Sequence, residues 1–252
     1  PSGYKALNPS SLSTPTIADG SKYFDSRSGL TAQFTINDLN FATGLMAAKS
    51  TSNDEYWIVA DVVRNNFVGP LRFNGTNAEG NGAAITNVSA TGYQSDSNWF
   101  TNGRTYATFN WDAGTSTVTN NDGSIASQVR AQPSAGFSIV EVSGYTYPTK
   151  TVGHGLNAEP EFIISKNTGA SNPWIIYHKS AGVNTYFQFD TGAGYTGVNG
   201  VWSGVNSSVF PLHSGVNQQT DIVAYCFAPV AGYSSMGSFV GNANSDGPFV
   251  AL

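Results

Sequence analysis

Gly44-Leu45-Met46-Ala47-Ala48-Lys49-Ser50, a polar turn, then Tyr56-Trp57-Ile58-Val59: this stretch recurs later in the same chain. Its counterpart is Glu161-Phe162-Ile163-Ile164-Ser165-Lys166-Asn167, a polar turn, then Pro173-Trp174-Ile175-Ile176. Lys49 falls on Lys166 and Trp57 on Trp174 at one offset of 117 residues, and Leu39-Asn40 falls on Leu156-Asn157 at the same offset. Tyr106–Trp111 matches Ile222–Phe227 at 116, and Gly136-Phe137-Ser138 resembles Gly232-Tyr233-Ser234 at a shorter offset. Matches in one order predict two copies of a unit of about 110 residues.

Within each copy the elements read as strands. Phe162–Ser165, Trp174–His178, Tyr186–Phe189 and Ile222–Phe227 are short, β-branched and aromatic, and bounded by Gly, Asn, Ser or Pro. Tyr186-Phe187-Gln188-Phe189-Asp190 alternates, as suits one buried and one wet face. Turn signals between such runs predict an all-β chain of two tandem antiparallel β-sandwich units, jelly-roll-like, with helix limited to a turn or two around 61–66 and 77–85. The expected organisation is an extended arm over 1–22, a first unit over 23–114, a linker over 115–134 and a second unit over 135–252. Pro9, Pro15 and Gly20 punctuate the arm, and its Tyr4, Leu7 and Leu12 are scattered as if laid across another surface. Gly237–Gly241 parallels Ser138–Gly144, so the end of the sequence, with Phe249 and Val250, reads as the start of a third unit or as a strand for another subunit.

Composition narrows the function classes. Only 11% of the 252 residues are charged, with 11 Lys+Arg against 16 Asp+Glu, a net charge of -5. No basic cluster could track phosphates, so nucleic acid is excluded as a partner. No apolar run reaches a membrane-spanning length, and Pro1–Lys5 lacks a signal-peptide core, so membrane insertion is not expected. One cysteine, Cys226, permits no internal disulfide and sits mid-strand as a small hydrophobe.

Candidate chemistry is sparse. His154, His178 and His213 match no zinc spacing and read as turn or strand-end residues. Gly232-Tyr233-Ser234-Ser235-Met236 fails the nucleophile-elbow pattern. The acids sit mostly in turns; Glu141 and Asp190 lie on strands, and nothing singles out a catalytic pair. Asn242-x-Asn244-x-Asp246-Gly247 echoes a calcium loop without its twelfth-position acid, and reads as a turn. No catalytic residue, metal site or cofactor is therefore assigned. Trp99 and Trp202, in loops rich in Asn, Ser and Gly, are the candidates for stacking on sugar rings; the bland alternative is that they plug the sandwich ends. Trp57 and Trp174 are repeat-equivalent and read as core.

Several segments carry a family resemblance. They are Pro1-Ser2-Gly3-Tyr4-Lys5-Ala6-Leu7-Asn8, Pro15–Gly20, Ser134–Val140, Thr151-Val152-Gly153-His154-Gly155-Leu156, Tyr225–Ala228, Gly232–Ser235 and Ser245–Val250. Together they resemble repeat modules of virion-associated structural proteins of marine bacteriophages, especially cyanophages. The resemblance is closest from Ser134 onward and looser between Lys22 and Thr101. It implies a non-catalytic virion protein, localised to a particle assembled in the host cytoplasm. Such a protein serves host attachment as a tail fibre or appendage, or decorates the capsid surface. It further implies other virion proteins as partners, a homo-oligomer, expected trimeric, and a host surface glycan or receptor. The alternative reading is a carbohydrate-binding, lectin-like module of a larger secreted or viral protein; a glycan depolymerase is the third. Tyr4, Leu7, Leu12, Phe249 and Val250 are the expected assembly contacts.

Overall fold

The 117-residue recurrence acquires a physical meaning in the pairing of the strands. A computed structural model describes residues 15–189, 193–217, 220–245 and 247. In the first half the strands are β1 (Phe24–Thr31), β2 (Thr35–Ile36), β3 (Leu45–Ser50), β4 (Ile58–Asp61), β5 (Ile85–Ser89), β6 (Gly92–Ser95) and β7 (Thr105–Trp111). Then come β8 (Val118–Asn120), β9 (Ser127–Gln132), β10 (Phe137–Tyr145), β11 (Lys150–Gly153), β12 (Phe162–Asn167) and β13 (Ile175–His178). The last are β14 (Tyr186–Gln188), β15 (Gly194–Tyr195), β16 (Val209–Leu212) and β17 (Thr220–Phe227). Helix among the described residues is confined to three-residue 3-10 turns, so the chain is nearly all-β.

Strands β1-β7-β3-β4 form one antiparallel sheet, and β15-β14-β13-β12-β17-β10-β9-β8 form another; β2-β6-β5 and β11-β16 form two smaller ones. The order β1-β7-β3-β4 recurs as β10-β17-β12-β13, and so does its register. Leu45 faces Trp111 as Phe162 faces Phe227, and Ala48 faces Ile58 as Ser165 faces Ile175. Each first strand carries a bulge containing a glycine at positive φ, Gly29 (68°) and Gly144 (65°), where a side chain would be strained. The segment expected as a linker over 115–134 instead supplies β8 and β9, which widen the larger sheet. The helical turn near 61–66 reduces to a 3-10 turn over Asn65–Phe67, and none forms over 77–85. Residues 237–245 hold no strand, and Phe239 and Val240 are exposed there. Tyr4, Leu7, Leu12, Phe249 and Val250 lie outside the described residues. The described end of the arm docks on the second half: Thr16 donates its N–H to Ala231, and Tyr23 meets Tyr233 edge-on.

Side-chain alternation fills three apolar clusters. Met46, Ala48 and Tyr106 pack with Ile36 and Tyr93 between the four-stranded sheet and β2-β6-β5. Ile163, Ile222, Ala224 and Cys226 pack with Val152 and Phe210 between the eight-stranded sheet and β11-β16. The intervening residues point the other way: Leu45, Ala47 and Val59 meet Ile164, Ile176, Val223 and Tyr225. The two large sheets thus bury their opposite faces against each other. Strands buried on both faces read as near-continuous apolar runs, which is why Phe162–Ile164 and Leu45–Ala48 do not alternate.

One buried ionic group crosses this seam. The Asp61 carboxylate, fully buried, accepts from the Val63 and Arg64 N–H groups, from Arg64 Nε at 2.7 Å and from the Tyr225 hydroxyl at 2.8 Å. Arg64 Nη1 also donates to the Gly69 carbonyl at 2.8 Å. Burial opposes the guanidinium charge, but the Asp61 carboxylate outweighs it and holds the Arg64 pKa above its usual value. Burial, with Asp61 beside it, pushes the Tyr225 phenol well above its ordinary range, so the hydroxyl remains a donor. Replacing Asp61 with Ala leaves the buried Arg64 only the longer, 3.4 Å contact with half-exposed Glu79, and is expected to cost about 3 kcal/mol of stability. Tyr225→Phe removes one donor and is expected to cost about 1–2 kcal/mol. Urea unfolding of both variants checks this ranking; equal losses would contradict it.

Candidate functional site

Trp57 turns inward onto Phe73 and Phe109, with ring centroids 6.4 and 5.8 Å away, so its neighbour Tyr56 must turn outward. Beside it lies a cleft of about 660 Å³. Ile58 lines it, together with Asp54, Tyr56, Arg72, Asn81 and Trp99. Three loops supply the walls: the turn entering β4, the 68–84 connection, and the turn after β6.

Each wall is fixed locally. In the turn after β6, Asp96 Oδ1 accepts the Asn98 N–H at 2.8 Å, and buried Phe100 anchors the chain beyond Trp99. The Trp99 indole donates to the Asn81 carbonyl at 3.0 Å. Its ring lies so close to Gly80 that a Cβ there would run into it. The 68–84 connection is clamped from the second half of the chain. Trp174 Nε1 donates to the Arg72 carbonyl at 2.7 Å, and the Glu79 N–H donates to the Thr168 carbonyl at 2.9 Å. Asn74 Oδ1 accepts the Trp57 N–H at 2.8 Å. Glu55 pairs with Arg104 and accepts the Tyr106 hydroxyl at 3.0 Å.

At the centre stands Arg72. Its guanidinium carbon lies over the Tyr56 ring and over the Trp99 ring, 5.2 Å from each centroid. Tyr56 is 53% exposed, so much of its surface is open to solvent. The arrangement offers flat apolar faces beside amide donors and acceptors, which is the chemistry of a sugar subsite.

Of the two loop tryptophans, Trp99 lies in this cleft and Trp202 does not. Trp202 is 1% exposed and packs on Tyr177 at 5.2 Å in the second-half core, because the turn at 198–205 folds back over β13. Sequence reasoning missed Tyr56 and Arg72, which come to Trp99 from separate loops. A signal existed at the 117-residue offset. It carries Glu55, Tyr56 and Ile58 onto Asn172, Pro173 and Ile175, and Asn98 and Trp99 onto Gly215 and Val216. Those second-half residues line a cleft of their own, only about 150 Å³, with proline and valine where the first half has tyrosine and tryptophan.

The remaining candidates resolve into structure. All three histidines use Nδ1 to accept the backbone N–H two residues on: Leu156 for His154, Ser180 for His178 and Gly215 for His213. His178 and His213 stand where the first half has Asp61 and Asp96, whose carboxylates accept from the equivalent N–H groups. Cys226 is buried, and burial pushes its thiol far up, away from the reactive thiolate. In the segment that echoes a calcium loop, Asn242 Oδ1 accepts the Asn244 N–H and Asn242 Nδ2 donates to the Gly247 carbonyl, as in the turn expected there.

Fold and site together define a chain of stacked antiparallel sheets bearing an aromatic, amide-rimmed cleft. It belongs to the family described as Domain of unknown function (DUF7483), which matches residues 19–252. No match was found among curated proteins or among solved structures.

His154 makes stability pH-dependent. It is fully buried, its Nε2 lies 3.0 Å from the Asn206 carbonyl, and only the neutral ring can donate there while accepting at Nδ1. Burial lowers its pKa below 6.5, so the unfolded chain takes up the proton first as pH falls. The stabilisation is complete above pH 6.5 and is lost below it, through the lowered folded value. The urea midpoint should fall between about pH 7 and 5, and fall less in His154→Asn, the residue found at the first-half equivalent. Parallel profiles for the two proteins would contradict the assignment.

Proposed function

We propose that the chain is a non-catalytic adhesion module of a bacteriophage particle, built from two tandem β-sandwich repeats, that holds a host-surface polysaccharide in the Tyr56–Arg72–Trp99 cleft. The observation that carries this reading is the exposed Tyr56 ring beside Arg72 and Trp99, rimmed by Asn74, Asn81 and Asn98. The sandwich reading is supported by the recurring strand order and register. The virion setting rests on the sequence resemblance, as do the trimer and the partnership with other virion proteins. An apolar groove of about 410 Å³ beside Phe162, Phe187 and exposed Phe189 supports contact with such proteins.

A binding role is favoured over hydrolysis by the state of the carboxylates. Glu55 is committed to Arg104 and Tyr106, while its neighbour Asp54 sits at the exposed rim. A low-charge surface also suits adhesion in salt, because hydrogen bonds and stacking are little screened.

A polysaccharide panel tests the proposal. The full chain should retain at least one host-surface polysaccharide without releasing reducing ends. Tyr56→Ala and Trp99→Val, the latter being the second-half residue, should each weaken binding about tenfold, near 1.4 kcal/mol. Trp202→Phe should leave it unchanged. Undiminished binding in both cleft variants, or reducing-end release that Asp54→Asn abolishes, would overturn the reading.

A further inference from the structure

We infer that this cleft selects an acidic sugar, one whose ring carries a carboxylate or sulfate, and that Arg72 is the residue that reads the charge. The inference rests on the glycan reading and adds the ligand's chemical class.

The geometry begins with how Arg72 is held. A guanidinium offers two flat faces and, in its plane, five N–H donors. The Arg72 guanidinium carbon lies over the Tyr56 ring and over the Trp99 ring, 5.2 Å from each centroid. Ring contacts of this kind take up none of the N–H donors. Among the described residues no carboxylate pairs with Arg72 and no acceptor takes a hydrogen bond from its side chain, whereas Arg27, Arg64 and Arg104 all have carboxylate partners. Its backbone is pinned from two directions, by Trp174 Nε1 at 2.7 Å and by the Gly75 N–H at 3.2 Å. An arginine whose backbone is pinned, and whose half-buried side chain has no carboxylate partner, suits an anion that presents two oxygens to its fork, a carboxylate or one edge of a sulfate.

The surrounding charges define the selectivity. Glu55 is neutralised by Arg104, and Asp54 is exposed at the rim, where water weakens its field. Arg72 is therefore the one cation lining the cleft. The net charge of -5 repels an acidic polymer as a whole, but salt screens that repulsion beyond roughly 8 Å, while the Arg72 contact is direct. The second-half cleft is a built-in comparison: no arginine or lysine lines it. The anion site thus belongs to the first half alone.

The experiment compares matched ligands on the full chain by calorimetry: a mannuronate hexamer, its carboxyl-reduced hexamer, a sulfated dextran oligomer and unsulfated dextran. The expected result is at least tenfold tighter binding of an anionic member than of its neutral match. Arg72→Gln should remove that preference, and Arg72→Lys should restore part of it through charge without the fork. Preference for the mannuronate identifies a carboxylate ligand; preference for the sulfated dextran identifies a sulfate. Neutral and anionic members binding equally, with Arg72→Gln silent but Trp99→Val weakened, would overturn the charge-reading role and leave the glycan cleft standing. Binding of no member would overturn both. Near-ultraviolet circular dichroism of Arg72→Gln, unchanged from the parent chain, separates loss of the anion contact from collapse of the ring pair.

Discussion

The seam between the two large sheets is the constraint on which the rest depends. Trp174 is fully buried there, with Phe73 at 4.9 Å and Tyr225 at 6.2 Å. Its buried indole N–H donates to the Arg72 carbonyl at 2.7 Å. With the Glu79 N–H on the Thr168 carbonyl, that bond ties a loop of the first half to the second. The cleft is thus lined by first-half residues but held in shape by second-half packing. Neither half by itself supplies a positioned Arg72.

The same seam explains the buried ions. Two sheets that bury opposite faces against each other leave no solvent for a polar group at the junction. Asp61 survives there because four donors converge on it, two from the backbone and one each from Arg64 and Tyr225. The tyrosine comes from β17 and the acid from β4, so the pairing fixes how the two sheets meet as well as compensating the charge. Apolar contacts along the seam tolerate sliding; a fourfold-coordinated carboxylate does not.

Much of this was legible in the sequence, and the reasons are specific. Leu45–Ser50 and Phe162–Asn167 announced themselves because both run through the middle of a sheet, where both faces are buried and identity is constrained. Trp57 and Trp174 marked the strand that follows. The 115–134 segment carries little apolar signal because β8, at the sheet edge, has three residues and β9 beside it is polar, with Thr119, Asn120, Gln128 and Arg130 exposed or only partly covered. Trp202 resembled Trp99 in its setting of Gly and Ser, and only the fold-back onto Tyr177 distinguishes a plug from a binding face.

The cleft was the hardest to read, and the obstacle lies in the method of matching copies. Self-comparison rewards positions at which the halves agree, and agreement reports packing that both must satisfy. Tyr56 against Pro173 and Trp99 against Val216 are disagreements, which such a search discards. Both halves keep a cleft at this place. Tyr56 is more than half exposed, so packing gives it little reason to be aromatic, whereas Trp99 also packs against the first-half core. The agreements between the halves therefore locate the core, and the disagreements, once placed on a shared register, locate surface positions that packing leaves free to differ.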